Sequence, residues 1–514
     1  MKSPILGSSY VARSVNAADA RMVNLFPEIV PEAGKEPAFL QRAPGLRLLN
    51  TIGAGPIRGL WAFSSSDSYA FVVSGSQLYK INSAYVATFI GNVSGVGPVS
   101  MADNGTQLFI ACDGPSYIYN NATGAFNAIT DPDFPGAVTV AYLDGYFVFN
   151  QPNSQLMWVT QLLDGTSIEP LDFASTEGSP DGLIAVASNF REIWAFGTNS
   201  IEVWYNVGGT GFPLQRIQGA FNELGCAAHY SVAKMDNGLF WLGRDRRGQG
   251  IVYRANGYSG ERISTHAVEW QIQQYSDISD AIAYTYQQDG HSFYVLIFPS
   301  ANTTWVYDAA TQAWHERAGF VDGQFTRHRS NCQMSFGNDI VVGDFENGNI
   351  YAFDLDDYSD NGQIQKWLRS WRALPTGANN LKRTAQHSLQ LDAQTGALLP
   401  AVNVDITGNN DTFLVSEADA FLLTESDVYI ITETGENVNP QPSVMLRWSD
   451  DGGHTWSNEH WKGMGAVGQY FYRTIWRRLG MTVKLRDRVY EISGTDPIKI
   501  AIMGAELILS PTNA

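Results

Sequence analysis

The sequence predicts an all-β protein: a β-propeller of six or seven blades over residues 1–372, then an additional C-terminal β region over 373–514. Three observations carry this reading. Short β-branched and aromatic runs, bounded by Gly, Asn, Asp and Ser, dominate the chain. They recur roughly every 40 to 60 residues, a spacing that suits blades of four short strands. Near the C-terminus, Ser449-Asp450-Asp451-Gly452-Gly453-His454-Thr455-Trp456 fits the S-x-D-x-G-x-T-W pattern of an Asp-box, a tight hairpin that points to propeller-like architecture.

The strand pairs follow in order. Tyr69 to Ile81 reads as strand, tight turn, strand, and Gln107 to Gly114 repeats that logic. Leu143 to Asn150 turns through Asp144-Gly145, a dipeptide suited to hairpin turns. Further pairs run over 191–205, 238–254, 292–308 and 339–354. Helical periodicity is scarce, and Val268 to Tyr275 is the best short candidate. Residues 373–403 read as a looser connection. An acidic repeat insertion follows at 404–440, with Phe413, Phe421 and Tyr429 spaced by eight and Glu417, Glu425 and Glu433 spaced likewise. It reads as three short strands of a surface meander. The Asp-box hairpin occupies 444–461, and strands around Val489 and Ile500 close the region.

Composition narrows the function. The 514 residues hold 33 Lys and Arg against 51 Asp and Glu, a formal charge of −18. Sequence-independent nucleic-acid binding rests on basic neutralisation of phosphates, so the whole chain is not a typical nucleic-acid binder. No apolar run is long enough for a transmembrane helix, and the N-terminus lacks the apolar core of a secretory signal. Three distant cysteines, Cys112, Cys226 and Cys332, argue against a disulfide framework and fit a reducing cytoplasm.

Motifs for chemistry are mostly missing. No phosphate loop, nucleophile elbow, zinc-protease helix or dinucleotide fingerprint is present. No catalytic, cofactor-binding or metal-binding residues are assigned. The loop bearing Asp354, Asp356, Asp357 and Asp360 lacks calcium-loop spacing, because Tyr358 takes the third ligand position, and reads as a solvated turn. In the Asp-box, Ser449, Asp451, Gly453, Thr455 and Trp456 fill the specified positions. Asp451 reads as a turn brace that accepts backbone N–H groups. Trp456 is expected to pack on the sheet, so that Trp456→Ala empties a large apolar site at about 3–5 kcal/mol. One local basic run stands out: Arg473, Arg477, Arg478, Lys484, Arg486 and Arg488 within sixteen residues. Such a patch could meet phosphates or an acidic partner surface, or form ion pairs inside the fold.

Three stretches also resemble the packaged-DNA stabilisation, or tail nozzle, proteins of short-tailed bacteriophages. One is Asn24-Leu25-Phe26-Pro27-Glu28 leading to Arg42-Ala43-Pro44-Gly45-Leu46. The second runs from Phe190-Arg191-Glu192-Ile193-Trp194 through Gly225-Cys226-Ala227-Ala228 to Ile263-Ser264-Thr265-His266. The third is Arg447-Trp448-Ser449-Asp450-Asp451 with Arg477-Arg478-Leu479-Gly480 and Asp487-Arg488-Val489-Tyr490-Glu491. The resemblance implies a non-enzymatic virion protein in the tail, assembled in the host bacterial cytoplasm. It implies a homohexameric ring below the portal and its head-to-tail adapter. Needle, spike or fibre proteins would lie beside or below it, genomic double-stranded DNA would pass through the lumen, and no membrane would be involved. The negative charge would keep DNA from adhering during ejection. Two alternatives stay open: a host-surface receptor-binding propeller, and an Asp-box sialidase-like glycosidase.

Overall fold

The computed structural model describes residues 2–14, 18–30, 36–176, 178, 181–209, 211–244, 246, 248–373, 382–395, 442–465, 469, 472–482 and 488–512. The acidic repeat at 404–440, Lys484 and Arg486 lie outside the described residues.

Seven four-stranded antiparallel units follow one another along the chain. Blade 1 comprises Ile57–Ala62, Tyr69–Ser74, Gln77–Asn82 and Ala87–Asn92. Blades 2, 3 and 4 begin at Ser100–Asp103, Val140–Leu143 and Leu183–Asn189. Blades 5 and 6 begin at Ala233–Met235 and Ile282–Gln288. In blade 5, Gly225–Cys226 also pairs with the second strand. Each innermost strand has a short, partly apolar face towards a central channel, and the second strands of blades 1 to 4 are almost wholly buried. The turns explain the local folding. Asp144-Gly145 and Asp289-Gly290 both carry positive φ at two consecutive residues, as a two-residue hairpin turn with the right twist requires.

Blade 7 comprises Ser330–Phe336, Asp339–Asp344 and Asn349–Asp354, and its fourth strand comes from the other end of the chain. Gly45–Thr51 pairs with Asn349–Asp354, from Asp354↔Gly45 to Asn349↔Thr51. The circle is therefore closed by a strand some 300 residues away in sequence, which leaves the last blade no open outer edge at that point.

Most of the remaining strands form two sheets packed face to face. One is ordered Thr474–Arg477, Thr384–Thr395, Ile500–Pro511, Ala38–Arg42, Leu25–Ile29. The other continues from blade 6: Ala313–Glu316 meets Met22–Val23, which pairs with Trp367–Arg372, then Val489–Gly494, Ser443–Ser449 and His460–Gly463. Trp367, Trp371, Trp476, Leu389, Ile492 and Ile502 fill the space between them. The sheet topology thus divides the chain differently from the 1–372 and 373–514 division expected above. Residues before Gly45 belong to the second unit, because Leu25, Leu40 and Met22 bury their side chains in its core.

Buried polar groups tie the two units together. The Arg42 guanidinium, 1 % exposed, donates to the carbonyls of Tyr358 and Gln365 and to those of Asp496 and Ile498. Within the sandwich, Arg369, also buried, fixes the N-terminal segment by donating to the Ile5 carbonyl at 2.7 Å and the Ala20 carbonyl at 3.2 Å. Asp360, expected in a solvated turn, is buried instead, and burial pushes its carboxyl up to about 7. The chain turns inward there because Asp360 pairs in register with Leu46 of the closing strand. Among the described residues no cluster of His, Cys, Asp or Glu is placed to hold a metal, and no helix is long and apolar enough to cross a membrane.

Between blades 6 and 7, His315 and His328 are buried near Arg317, whose guanidinium lies over the rings of Tyr286, Phe293 and Phe353 at 5.1–5.6 Å. Burial, with Arg317 beside it, pushes His328 down to about 3 and His315 well down. His328 is therefore neutral when folded but charged when unfolded below its ordinary value near 6.5. Its contribution to stability is complete above about pH 6.5 and is lost as pH falls towards about 3. We expect His328→Gln to reduce the slope of stability against pH between about 4 and 6 by about 1.4 kcal/mol per pH unit. Urea midpoints measured at several pH values for both chains check this, and parallel profiles would refute it.

Candidate structural site: the Asp-box and the basic edge of the sandwich

The Asp-box hairpin connects two neighbouring strands, Ser443–Ser449 and His460–Gly463, with Met445 opposite Trp461 and Leu446 opposite His460. Asp451 sits at its tip. Its Oδ1 accepts the N–H groups of His454 and Thr455, each at 2.9 Å, and the Ser449 hydroxyl at 2.6 Å. Its Oδ2 accepts the Thr455 hydroxyl at 2.6 Å. The Ser449 hydroxyl also accepts the Gly453 N–H at 2.8 Å. Gly452 and Gly453 have φ of +78° and +104°, a region open mainly to glycine. The hydrogen bonds from Ser449 and Thr455 hold the Asp451 carboxyl well below the usual carboxylate range. A group held ionised, with both oxygens occupied by its own turn, is poorly suited to act as a proton donor.

Trp456 departs from expectation. It is only half-buried and is not part of the sandwich core. Its ring lies under the Arg447 guanidinium at 4.7 Å, and Arg447 in turn pairs with Glu491 at 2.5 Å. The neighbouring Trp448, also only partly buried, is the indole that packs against the core, and it stacks on His460 at 4.7 Å. Trp456→Ala is accordingly expected to cost about 1–2 kcal/mol, from a cation–π contact and partial burial, rather than the 3–5 kcal/mol of an emptied core site. A denaturant midpoint for the variant measures it.

The basic run divides in two. Arg488 is an interior residue, its side chain 2 % exposed. It grips Asp450 with two bonds of 2.6 Å and donates to the Leu479 and Met481 carbonyls at 2.6 and 3.1 Å. It is thus a brace between the Asp-box turn and the strand ends. The sequence groups it with five other bases and leaves surface patch and internal ion pair both open, and only the fold shows its partner. Arg473, Arg477 and Arg478 are exposed instead. They border a groove of about 750 Å³ together with Trp448, His460, Trp461 and Lys462.

The propeller's central channel is smaller, about 560 Å³. Two of its charged groups, Arg58 and Asp103, are committed to the fold, whereas Lys234, also in the lining, is exposed with its ammonium 5.8 Å from the Phe190 ring. Arg58 donates to the carbonyls of Gly97, Gly75 and Ser94 at 2.6–3.0 Å. Asp103 accepts the Trp61 indole N–H at 2.8 Å and the Gly105 N–H at 2.9 Å. Sequence reading did not single out either residue, since each is defined by loops of its own and the neighbouring blade.

A propeller that closes on its own N-terminal strand and runs continuously into a β-sandwich, with its Asp-box engaged as a turn brace, has the character of a structural scaffold. Comparison with protein-family models agrees with that. Residues 1–358 match the model described as bacteriophage P22 Gp10, beta-propeller, and residues 410–509 match bacteriophage P22 Gp10, beta-sandwich. The chain belongs to this family, the tail nozzle and DNA-stabilisation proteins of short-tailed phages, and is a phage tail structural protein. The second match also takes in the acidic repeat at 413–433. A search of curated proteins finds no match. Similar solved structures include the virginiamycin B lyase of Staphylococcus aureus, at 11 % identity over 60 % of this chain and 99 % of that one, TM-score 0.42. They also include the N-terminal domain of Nup159, at 10 % identity over 63 % and 97 %, TM-score 0.39. Likenesses this remote carry no argument about function.

Proposed function

We propose that this chain forms the tail nozzle: a ring of six copies below the portal and its adapter, which extends the DNA channel, retains the packaged genome and passes it on at ejection. The observation that carries the reading is the family match across both the propeller and the sandwich. A ring of identical copies around the DNA axis would be joined by repeated head-to-tail contacts. With a formal charge of −18 per copy, a lumen lined by these acids would repel the phosphate backbone and leave DNA free to slide. Spike, needle or fibre proteins would attach at its sides or lower end, and assembly would take place in the host cytoplasm.

A reconstruction of purified virions tests this. The expected result is six copies of the propeller encircling the axis between adapter and tail tip. Copies found only at the ends of fibres, or no copies in the virion, would overturn it.

A further inference from the structure

The groove of about 750 Å³ lies at the open edge of the sandwich. Its walls are the two edge strands, His460–Gly463 of one sheet and Thr474–Arg477 of the other. The two are held together by the Trp476 indole N–H on the His460 carbonyl at 2.8 Å and the Thr474 hydroxyl on the Gly463 carbonyl at 3.1 Å. The groove presents Arg473, Arg477, Arg478 and Lys462 against a single carboxylate, Glu459. Among the described residues none of those four bases has an ion-pair partner. Trp461 stands beside them 56 % exposed. Four unpaired cations and an open tryptophan on a chain of charge −18 make a surface suited to a negatively charged, partly apolar segment.

We propose that this groove docks the acidic segment 404–440 of a second copy of this chain. Three features favour that occupant. The segment carries eight carboxylates and no Lys or Arg, the opposite sign to the groove. Glu417, Glu425 and Glu433 recur every eight residues, each just after an apolar run led by Phe413, Phe421 or Tyr429, so the segment offers both carboxylates to the arginines and apolar side chains to Trp461. The edge strand His460–Gly463 is paired in the sheet on one side only, so backbone groups other than the two carbonyls held by Trp476 and Thr474 offer main-chain hydrogen bonds to an incoming segment. A donor segment and an acceptor groove on the same chain form a head-to-tail contact, the kind that closes a ring. The inference deepens the ring reading and rests on it only in requiring several copies.

The test uses a labelled synthetic peptide of residues 404–440 titrated with the purified full-length chain, read by fluorescence anisotropy. The expected result is saturable binding that weakens at least tenfold in the variant R473E/R477E/R478E and falls with added salt. These arginines are exposed and unpaired, so the variant should melt like the parent. A peptide carrying E417K/E425K/E433K should lose binding to the parent chain and gain it on the arginine-reversed chain, a rescue that mere misfolding cannot produce. Several results would overturn the proposal. They are no binding to the parent chain, as docking of a chain's own segment would give; equal binding to parent and variant; no rescue; or preference for a DNA oligonucleotide over the peptide. A negative result leaves the nozzle reading intact. A positive one beside an absent ring would remove the nozzle and keep this contact.

Discussion

Arg42→Ala is expected to destabilise the chain by about 3–5 kcal/mol. The guanidinium serves four carbonyls at once, from Tyr358 and Gln365 beside the propeller's closing strand and from Asp496 and Ile498 in the sandwich. Removing it leaves these acceptors buried, and each orphaned group costs about 1–3 kcal/mol. Relief of the buried charge, which burial has already pushed down to about 10, offsets part of the loss. Because the residue bridges two units, the urea transition should also broaden as sandwich and propeller unfold less cooperatively. A variant with the parent's midpoint and slope would show that the bridge is not what couples them.

Arg488→Ala should cost a similar amount, about 3–5 kcal/mol, because it abandons Asp450 and two carbonyls in a site the side chain shields from water. Arg477→Ala, eleven positions earlier in the same basic run, should fall within about 0.5 kcal/mol of the parent, since its side chain is exposed and unpaired. The contrast is the informative part. Equal effects at the two positions would mean that the division of the run into an interior brace and a surface edge is wrong. Chemical denaturation of both variants decides it.

Much of the propeller is legible in sequence because its hairpins are local. The pairs read at 69–81, 238–254, 292–308 and 339–354 correspond to Tyr69–Ser74 with Gln77–Asn82, Gly238–Arg244 with Gln249–Asn256, His291–Phe298 with Thr303–Asp308, and Asp339–Asp344 with Asn349–Asp354. Each has its turn chemistry within a few residues. The helix expected over Val268 to Tyr275 lies at His266–Gln273, where the Thr265 side chain caps Val268 N–H. Long-range pairing was not legible. Nothing near Gly45–Thr51 shows that its partner is Asn349–Asp354, nor that Leu25 and Leu40 pack against Ile502 rather than a blade.

The site divides along the same line. The bracing role of Asp451 follows from contacts within four residues of it. The surroundings of Trp456 and Arg488 do not, because Arg447, Glu491 and Asp450 reach them across strands. A pattern of residue types gives a turn its hydrogen bonds. It leaves open where a flanking indole will pack: Trp448 touches the core, whereas Trp456 lies under Arg447.

The most direct measurement is DNA retention in particles assembled without this chain. The account predicts heads that fill with DNA and then leak it, with retention restored when the purified protein is added. Heads that keep their genome without the chain, and fail only to adsorb to cells or to degrade a surface glycan, would contradict it.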